Sequence, residues 1–328
     1  MKSKIVAVLR GGPSAEYEVS LQTGAQVLQA LEALGYRTRD IIISKRGEWL
    51  ECGIVRQPEQ VLQKVDVAFI ALHGNYGEDG VIQRLCELSG VAYTGSNSFS
   101  SRVAFNKAFT KDKLAKLGLP IKMPKGCQLY QRDLENLTTV VSDLYNDLGP
   151  EWVVKPTNSG SSDGVQVITE TEKLAPALMA TLQNYHSCLV EERIVGTEAT
   201  GGVLEDFRDE EVYNFPAIEI IPPQDTDHFS AVVKYNGATA EICPGRFSNG
   251  VKGAIAEAAT LVHQALGLSQ YSRSDFIVRD GEAYFLEVNT LPGLTPQSLY
   301  PKGAAAVGLE FMRLVEHLVE TASARQRS

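Results

Sequence analysis

Short apolar runs alternate with stretches of helical period along the first hundred positions. Residues 4–9, KIVAVL, read as a buried parallel strand running into Arg10-Gly11-Gly12-Pro13-Ser14. Val19, Leu21, Val27, Leu28, Leu31 and Leu34 then recur at helical spacing up to Gly35, and TRDIIIS (38–44) predicts a second strand. A third apolar run, VDVAFIALHG (65–74), ends at His73-Gly74, and 77–90 continues as loop then helix. This is the alternation of an open parallel sheet, whose ligands gather beyond the strand C-termini. Glu16 after the first strand, and His73, Glu78 and Asp79 after the third, lie at that rim. For Glu16 and Glu78 a charge favouring a helix N-terminus is an equal competitor.

The pattern changes near Ser96. Residues 101–121 predict one amphipathic helix carrying Lys107, Lys111, Lys113 and Lys116, most of them on a solvated face, stopping at Gly118 before Pro120. An α+β section follows, with strands at 127–130, 153–156 and 165–168 and a helix over 134–148. The loop Asn158-Ser159-Gly160-Ser161-Ser162-Asp163-Gly164 sits between two of these strands, so it reads as a hairpin tip and not as an interdomain tether. Its glycines and serines let backbone and hydroxyl donors wrap phosphate oxygens, although GxxxxGK[ST] spacing is absent. Residues 188–194, CLVEERI, form a strand whose backbone beyond Val190 could meet a base edge, with Glu198 placed for ribose hydroxyls. After a strand region at 212–221, residues 221–245 make a long loop centred on Lys234-Tyr235. A helix over 251–267, a hairpin over 271–289 and a final helix over 303–322 complete the chain.

The hairpin carries the strongest chemistry. Side chains two apart on a strand share a face, so Arg273 and Asp275 point together, and Glu287 and Asn289 answer them across the Arg279-Asp280-Gly281 turn. Asp275, Glu287 and Asn289 are hard oxygen donors with no His or Cys among them, which suits Mg2+ shared with phosphates. Glu287 lies within YFLEVNTL, where an unpaired charge would cost on the order of several kcal/mol, so a cation or an Arg partner is expected beside it.

Composition narrows the field. The formal net charge of −9 argues against a nucleic-acid binder, and 44% apolar with 22% charged residues is ordinary for a globular protein. Five scattered cysteines without CxxC spacing indicate neither a disulfide framework nor a zinc site. The short N-terminal apolar run predicts no signal peptide and no membrane association, hence a cytoplasmic location. Gly11-Gly12 lacks GxGxxG spacing, which disfavours a nicotinamide dehydrogenase.

Over nearly its whole length the sequence resembles the D-alanine:D-alanine ligases of the ATP-grasp superfamily. GGPSAEYEVSLQTG, HGNYGEDGVIQRLCELSGVAYTGS, VVKPTNSGSSDGV, KYNGATAEICPG and RSDF followed by LEVNTLPGLTPQSL stand in that family's order and spacing. The resemblance implies α/β and α+β architecture: an ATP-grasp fold with an N-terminal open parallel-sheet domain (1–96), a central subdomain (97–187) and a C-terminal catalytic domain (188–328). It implies ATP-dependent joining of two D-alanines through an acyl phosphate for peptidoglycan synthesis, and it accommodates a homodimer. A ligase with another second substrate, such as D-lactate or another D-amino acid, and a non-catalytic nucleotide-binding homologue stay open.

The resemblance also implies roles. Lys107 and Lys155 match phosphate-binding lysines, and Glu191, Glu192 and Ile194 match contacts to the adenine. Glu198 matches the ribose contact, while Ser161, Ser162 and Lys234 belong to the nucleotide set. Asp275, Glu287 and Asn289 match the ligands of two Mg2+ ions, for which Mn2+ can substitute. Glu16 matches the carboxylate holding the first D-alanine's ammonium, with Ser161 and Tyr235 linked to it and His73 and Lys234 among the substrate contacts. Arg273 matches the arginine that stabilises the intermediates, Gly293 a backbone donor, and Ser298 with Leu299 the second substrate's carboxylate contact. The loops at 158–164 and around Lys234-Tyr235 are expected to close as lids, and Tyr235 favours the dipeptide product. Asn106 in place of Asp, Asp163 in place of an apolar residue, and Ala199-Thr200-Gly201-Gly202 in place of a more apolar run depart from the family pattern.

Overall fold

A computed structural model describes residues 2–160, 163–222 and 239–325. The expected N-terminal alternation forms as β1 (Ile5–Gly11), α1 (Tyr17–Ala33), β2 (Arg37–Ile43), β3 (Trp49–Glu51), β4 (Ile54–Arg56), α2 (Pro58–Leu62), β5 (Val67–Ile70), α3 (Val81–Leu88) and β6 (Ala92–Tyr93). Strand order is β4-β3-β2-β1-β5-β6, with β2, β1, β5 and β6 parallel and β3 and β4 added as an antiparallel hairpin. Val6 to Leu9 and Val67 to Phe69 are fully buried, which is why those strands read as continuous apolar runs.

The single helix expected over 101–121 is two: α4 (Ser98–Phe105) and α5 (Lys107–Lys116). The break is at Asn106, whose backbone leaves the helical region (φ −90°, ψ 101°) and whose side-chain oxygen accepts from the Phe109 N–H at 2.9 Å. Nor are most of its lysines a solvated face. Lys107 and Lys111 share the buried side of α5 with Ala108 and Leu114.

A four-stranded antiparallel sheet follows, built from β7 (Gly126–Tyr130), β8 (Trp152–Pro156), β9 (Gln166–Ile168) and β10 (Ser187–Glu192) in the order β7-β10-β8-β9. Helices α6 (Leu137–Leu148) and α7 (Thr171–Tyr185) cover it, and Trp152, Val154, Leu178 and Val190 fill its own core. The third sheet contains β11 (Thr197–Phe207), β12 (Glu210–Asn214), β13 (Ile218–Ile221), β14 (Ala240–Ile242), β15 (Tyr271–Arg279) and β16 (Glu282–Asn289), with α8 (Asn249–Ala265) packed on it. The 271–289 hairpin forms as expected, its turn made by Asp280 and Gly281, both at positive φ. Two last helices, α9 (Leu299–Ala306) and α10 (Phe311–Arg325), close the chain.

Leu314, Val315, Leu318 and Val319 of α10 lie in the same core as β1 and β5, so the chain's end is packed into its beginning. The four-stranded sheet's core is separate from both others. Because β10 pairs with β7 and β8, and α4 and α5 contribute Val103 and Leu114 to the third sheet's core, we propose that the central unit runs to Glu192 and excludes these helices. Among the described residues, no helix is long and apolar enough to cross a membrane.

Candidate active site

The cleft between the four-stranded sheet and the third sheet is walled by Val153, Val165 and Val167 on one side and Phe276, Ile277 and Leu286 on the other. An apolar slot of this shape suits a flat ring. At its polar end it is lined by Lys107, Lys155, Glu191, Arg273, Asp275 and Glu287, and along its length by Glu192, Ile194, Glu198 and Leu299. Ten residues singled out in the sequence therefore share one cavity.

A second, smaller hollow opens beside the first and is lined by Glu16, Glu78, Gly160 and Asn289. Lys107, Ser159 and Glu287 line both. The two spaces meet at one lysine, one carboxylate and the start of the Gly/Ser loop. Lys107 binds that wall together: its Nζ lies 3.2 Å from Glu287 Oε2 and donates to the Ser159 carbonyl, and its backbone N–H donates to Thr157 O at 2.9 Å. The cation expected beside Glu287 is thus supplied by the chain itself.

On the hairpin, Asp275 pairs directly with Glu287 and Arg273 with Asn289. Arg273 grips Asp275 with two bonds, Nε to Oδ1 at 2.9 Å and Nη2 to Oδ2 at 2.8 Å, which raise the guanidinium's pKa despite its burial. Asn289 Nδ2 donates to Asp275 Oδ2 at 3.0 Å, and the Thr200 hydroxyl to Oδ1 at 2.8 Å. Thr200, one of the departures noted in the sequence, is therefore a partner of Asp275. Among the described residues no three His, Cys, Asp or Glu side chains converge on a metal position. Two carboxylates and a carboxamide suit a hard divalent ion only if further oxygens come from phosphates and water, and a cleft beside two lysines leaves that arrangement open to a nucleotide.

In the second hollow two carboxylates stand close. A Cβ on Gly74 or on Gly160 would come within 2.6 Å of Glu16 Oε2, so glycine at both places lets the rim of the parallel sheet and the Gly/Ser loop close on that carboxylate. Glu78 accepts from the Gly74 N–H at 3.0 Å, and burial, then the charge of Glu16, push its pKa up to about 8. Such a pair of acids awaits a cation.

Lys155 pairs with Glu191 Oε2 at 2.5 Å, and burial lowers its pKa to about 8. Lys111, missed in the sequence, pairs with the other oxygen of Glu191. Its signal was present: Lys107, Lys111 and Leu114 recur at i, i+4 and i+7 on one helix face.

Four of the described residues singled out in the sequence, His73, Asp79, Gly293 and Ser298, line neither hollow. His73 is buried with both ring nitrogens bonded inside the chain, Nδ1 to the Leu291 carbonyl at 3.0 Å and Nε2 to the Thr23 hydroxyl at 2.9 Å. Burial lowers its pKa, so the ring is a neutral link from α1 to the loop after β16. Gly293 and Ser298 lie against each other: a Cβ on Gly293 would lie 2.9 Å from Ser298 Oγ, which accepts from the Thr295 N–H at 3.1 Å. Ser161, Ser162, Lys234 and Tyr235 lie outside the described residues, and with them the core of both expected lids. Asp163, beside the first pair, accepts from the Tyr185 hydroxyl at 2.9 Å, a polar tie in place of the apolar contact usual there.

Comparison with known proteins identifies the family. The family model for the D-ala D-ala ligase C-terminus matches residues 114–320, and that for the N-terminus residues 53–96. The chain is 38% identical over 318 residues to a D-alanine–D-alanine ligase of Syntrophobacter fumaroxidans, covering 97% of both chains. It is 39% identical to that of Geotalea uraniireducens, covering 98% of this chain and 97% of the other. Among solved structures, the Bacillus anthracis D-alanine–D-alanine ligase complexed with ATP superposes with a TM-score of 0.81 at 28% identity, covering 100% of this chain and 99% of the other. The VanG D-Ala:D-Ser ligase of Enterococcus faecalis does so with a TM-score of 0.84 at 28% identity, covering 98% and 100%. The expected α/β and α+β ATP-grasp architecture is thereby matched along the whole chain, and the chain belongs to the D-alanine–D-alanine ligase family.

Proposed function

We propose that the protein joins two D-alanines into D-alanyl-D-alanine at the expense of ATP, supplying a peptidoglycan precursor. The observation that carries the proposal is the shared wall: Lys107, Ser159 and Glu287 separate a base-sized apolar slot from a hollow lined by Glu16 and Glu78. A carboxylate presented from the second hollow would face a γ-phosphoryl group presented from the first. That juxtaposition suits phosphoryl transfer to a poor electrophile, giving an acyl phosphate and ADP.

In this reading Glu16 and Glu78 take the ammonium of the first D-alanine. Lys107 and Lys155 neutralise phosphate oxygens, Lys107 giving up Glu287 while Lys155 stays anchored beside Glu191. Asp275, Glu287 and Asn289 would hold Mg2+, two ions on the family pattern, which when bound neutralises charge on the phosphates. Arg273 stays charged at every accessible pH and lies beside Asp275, so it can stabilise the oxyanion formed when the second D-alanine's amine attacks the acyl phosphate. Inorganic phosphate then leaves and the amide remains. Ser298, the N-cap residue of the last helix but one, would take the second substrate's carboxylate on the family pattern.

The test is phosphate release from ATP and Mg2+ with D-alanine, L-alanine, and D-alanine plus D-lactate or D-serine, with products identified by mass. Release that requires D-alanine and yields the dipeptide supports the proposal. Nucleotide binding without turnover on any D-amino acid would sink it.

A further inference from the structure

The nucleotide-facing wall is backed by a lysine to which the reaction gives no task. Lys111 lies one helical turn beyond Lys107 and is only 8% exposed, and its Nζ pairs with Glu191 Oε1. Lys155 Nζ holds Oε2 of the same carboxylate at 2.5 Å, and Glu191 itself is 2% exposed. Glu191 and Lys155 line the cavity, with Lys111 behind them. The three residues come from different units: α5 packs through Leu114 into the third sheet's core, whereas Lys155 on β8 and Glu191 on β10 belong to the four-stranded sheet.

A lysine stem is long enough to reach water, and burying an ammonium is costly unless it is paired. Lys155 alone would neutralise Glu191. Burial, then the charge of Lys155, hold the Lys111 pKa well below the usual lysine value, so what the second lysine supplies is a partner for the other oxygen of Glu191. This changes the geometry. A carboxylate with a cation on one oxygen can turn about its last torsion, and one held at both oxygens from opposite units cannot. We infer that Lys111 is a positioning residue for the nucleotide: it fixes Glu191 from behind and so keeps Lys155 at the cleft wall.

This rests on the nucleotide reading of the cleft, and the experiment separates the two. Lys111→Met and Lys111→Arg are made in the full chain. KM is measured for ATP at saturating D-alanine and for D-alanine at saturating ATP, and ADP binding is titrated calorimetrically. The Met variant is expected to raise the ATP KM and the ADP Kd about 10-fold, with the D-alanine KM changed by less than about twofold. Arg, which keeps the charge and can reach the carboxylate, restores most of the loss. An unchanged ADP Kd in the Met variant, or equal rises in both KM values that Arg does not relieve, would overturn the inference. If the Met variant does not fold, Lys111→Gln is read in its place by the same criteria. A wild-type chain that binds ADP but releases no phosphate would sink the proposed function, and the ADP titration would still decide the role of Lys111.

Discussion

Asp275 and Glu287 face each other as direct partners across β15 and β16, and each carboxylate is met by a cation from the chain, Arg273 and Lys107 respectively. Two anions on adjacent strands would repel in a half-buried cleft, so their proximity calls for positive charge. Arg273 comes from the same strand as Asp275, and Lys107 from the start of α5. Each carboxylate is therefore balanced by a cation of the chain, and a divalent ion with its nucleotide would exchange with these contacts.

Removing one anion should unbalance it. Asp275→Asn and Glu287→Gln are each expected to lower kcat about 100-fold and to shift the Mg2+ dependence of phosphate release to higher concentration. A Mg2+ titration of each variant checks this. A dependence that coincides with wild type would remove that residue from the metal set.

Arg273→Ala is expected to cost about 100-fold to 1000-fold in kcat while ADP binding stays within a few-fold. Arg273→Lys should recover little, because an ammonium cannot reproduce the two parallel bonds to Asp275. Steady-state kinetics beside calorimetric ADP titration separate the two effects. Equal losses in binding and turnover would make Arg273 a fold contact only.

The sequence revealed the hairpin and its metal-type oxygens because strand alternation is a local rule, and Asp280-Gly281 marks the turn unambiguously. It also revealed the two rim carboxylates Glu16 and Glu78, since parallel strands deliver residues to one edge. What it concealed was set by tertiary pairing. Lys111 looks like any lysine of an amphipathic helix until Glu191, eighty positions later, lies against it. Thr200 read as a departure from an apolar run until β11 aligned it with Asp275. The internal partners of His73, Thr23 and the Leu291 carbonyl, were concealed because they are remote in the chain.

Asn106 gives a stability prediction. Its side chain caps α5 and so sets the entry of Lys107 into the wall between the two hollows. Asn106→Ala should destabilise the fold by about 1 kcal/mol and raise the ATP KM, while Asn106→Asp, which can make the same cap, should stay within about 0.5 kcal/mol of wild type. Urea denaturation with parallel kinetics reads both. Equal losses for Ala and Asp would show that the carboxamide N–H, and not the capping oxygen, matters.

The pair Glu16 and Glu78 predicts a pH dependence. Glu78 has its pKa raised from 4.5 to about 8, chiefly by burial and next by the charge of Glu16, with Glu287 adding to it and the Gly74 N–H and Arg273 opposing. Between pH 4.5 and 8 the folded chain then holds a proton that the unfolded chain releases. Stability from this group is fully present below the unfolded pKa and is lost as pH rises through about 8. Glu78→Gln cannot ionise, so relative to wild type it should gain about 3 kcal/mol in stability between pH 5 and pH 8. Glu16→Gln removes the neighbouring charge and should narrow the same difference, because part of the shift in Glu78 comes from it. Urea unfolding of the three proteins at both pH values decides the matter, since titration elsewhere in the chain cancels in the differences. A Glu78→Gln difference that is the same at pH 5 and pH 8 would mean that Glu78 ionises normally and that the second hollow already carries two negative charges before any ammonium enters.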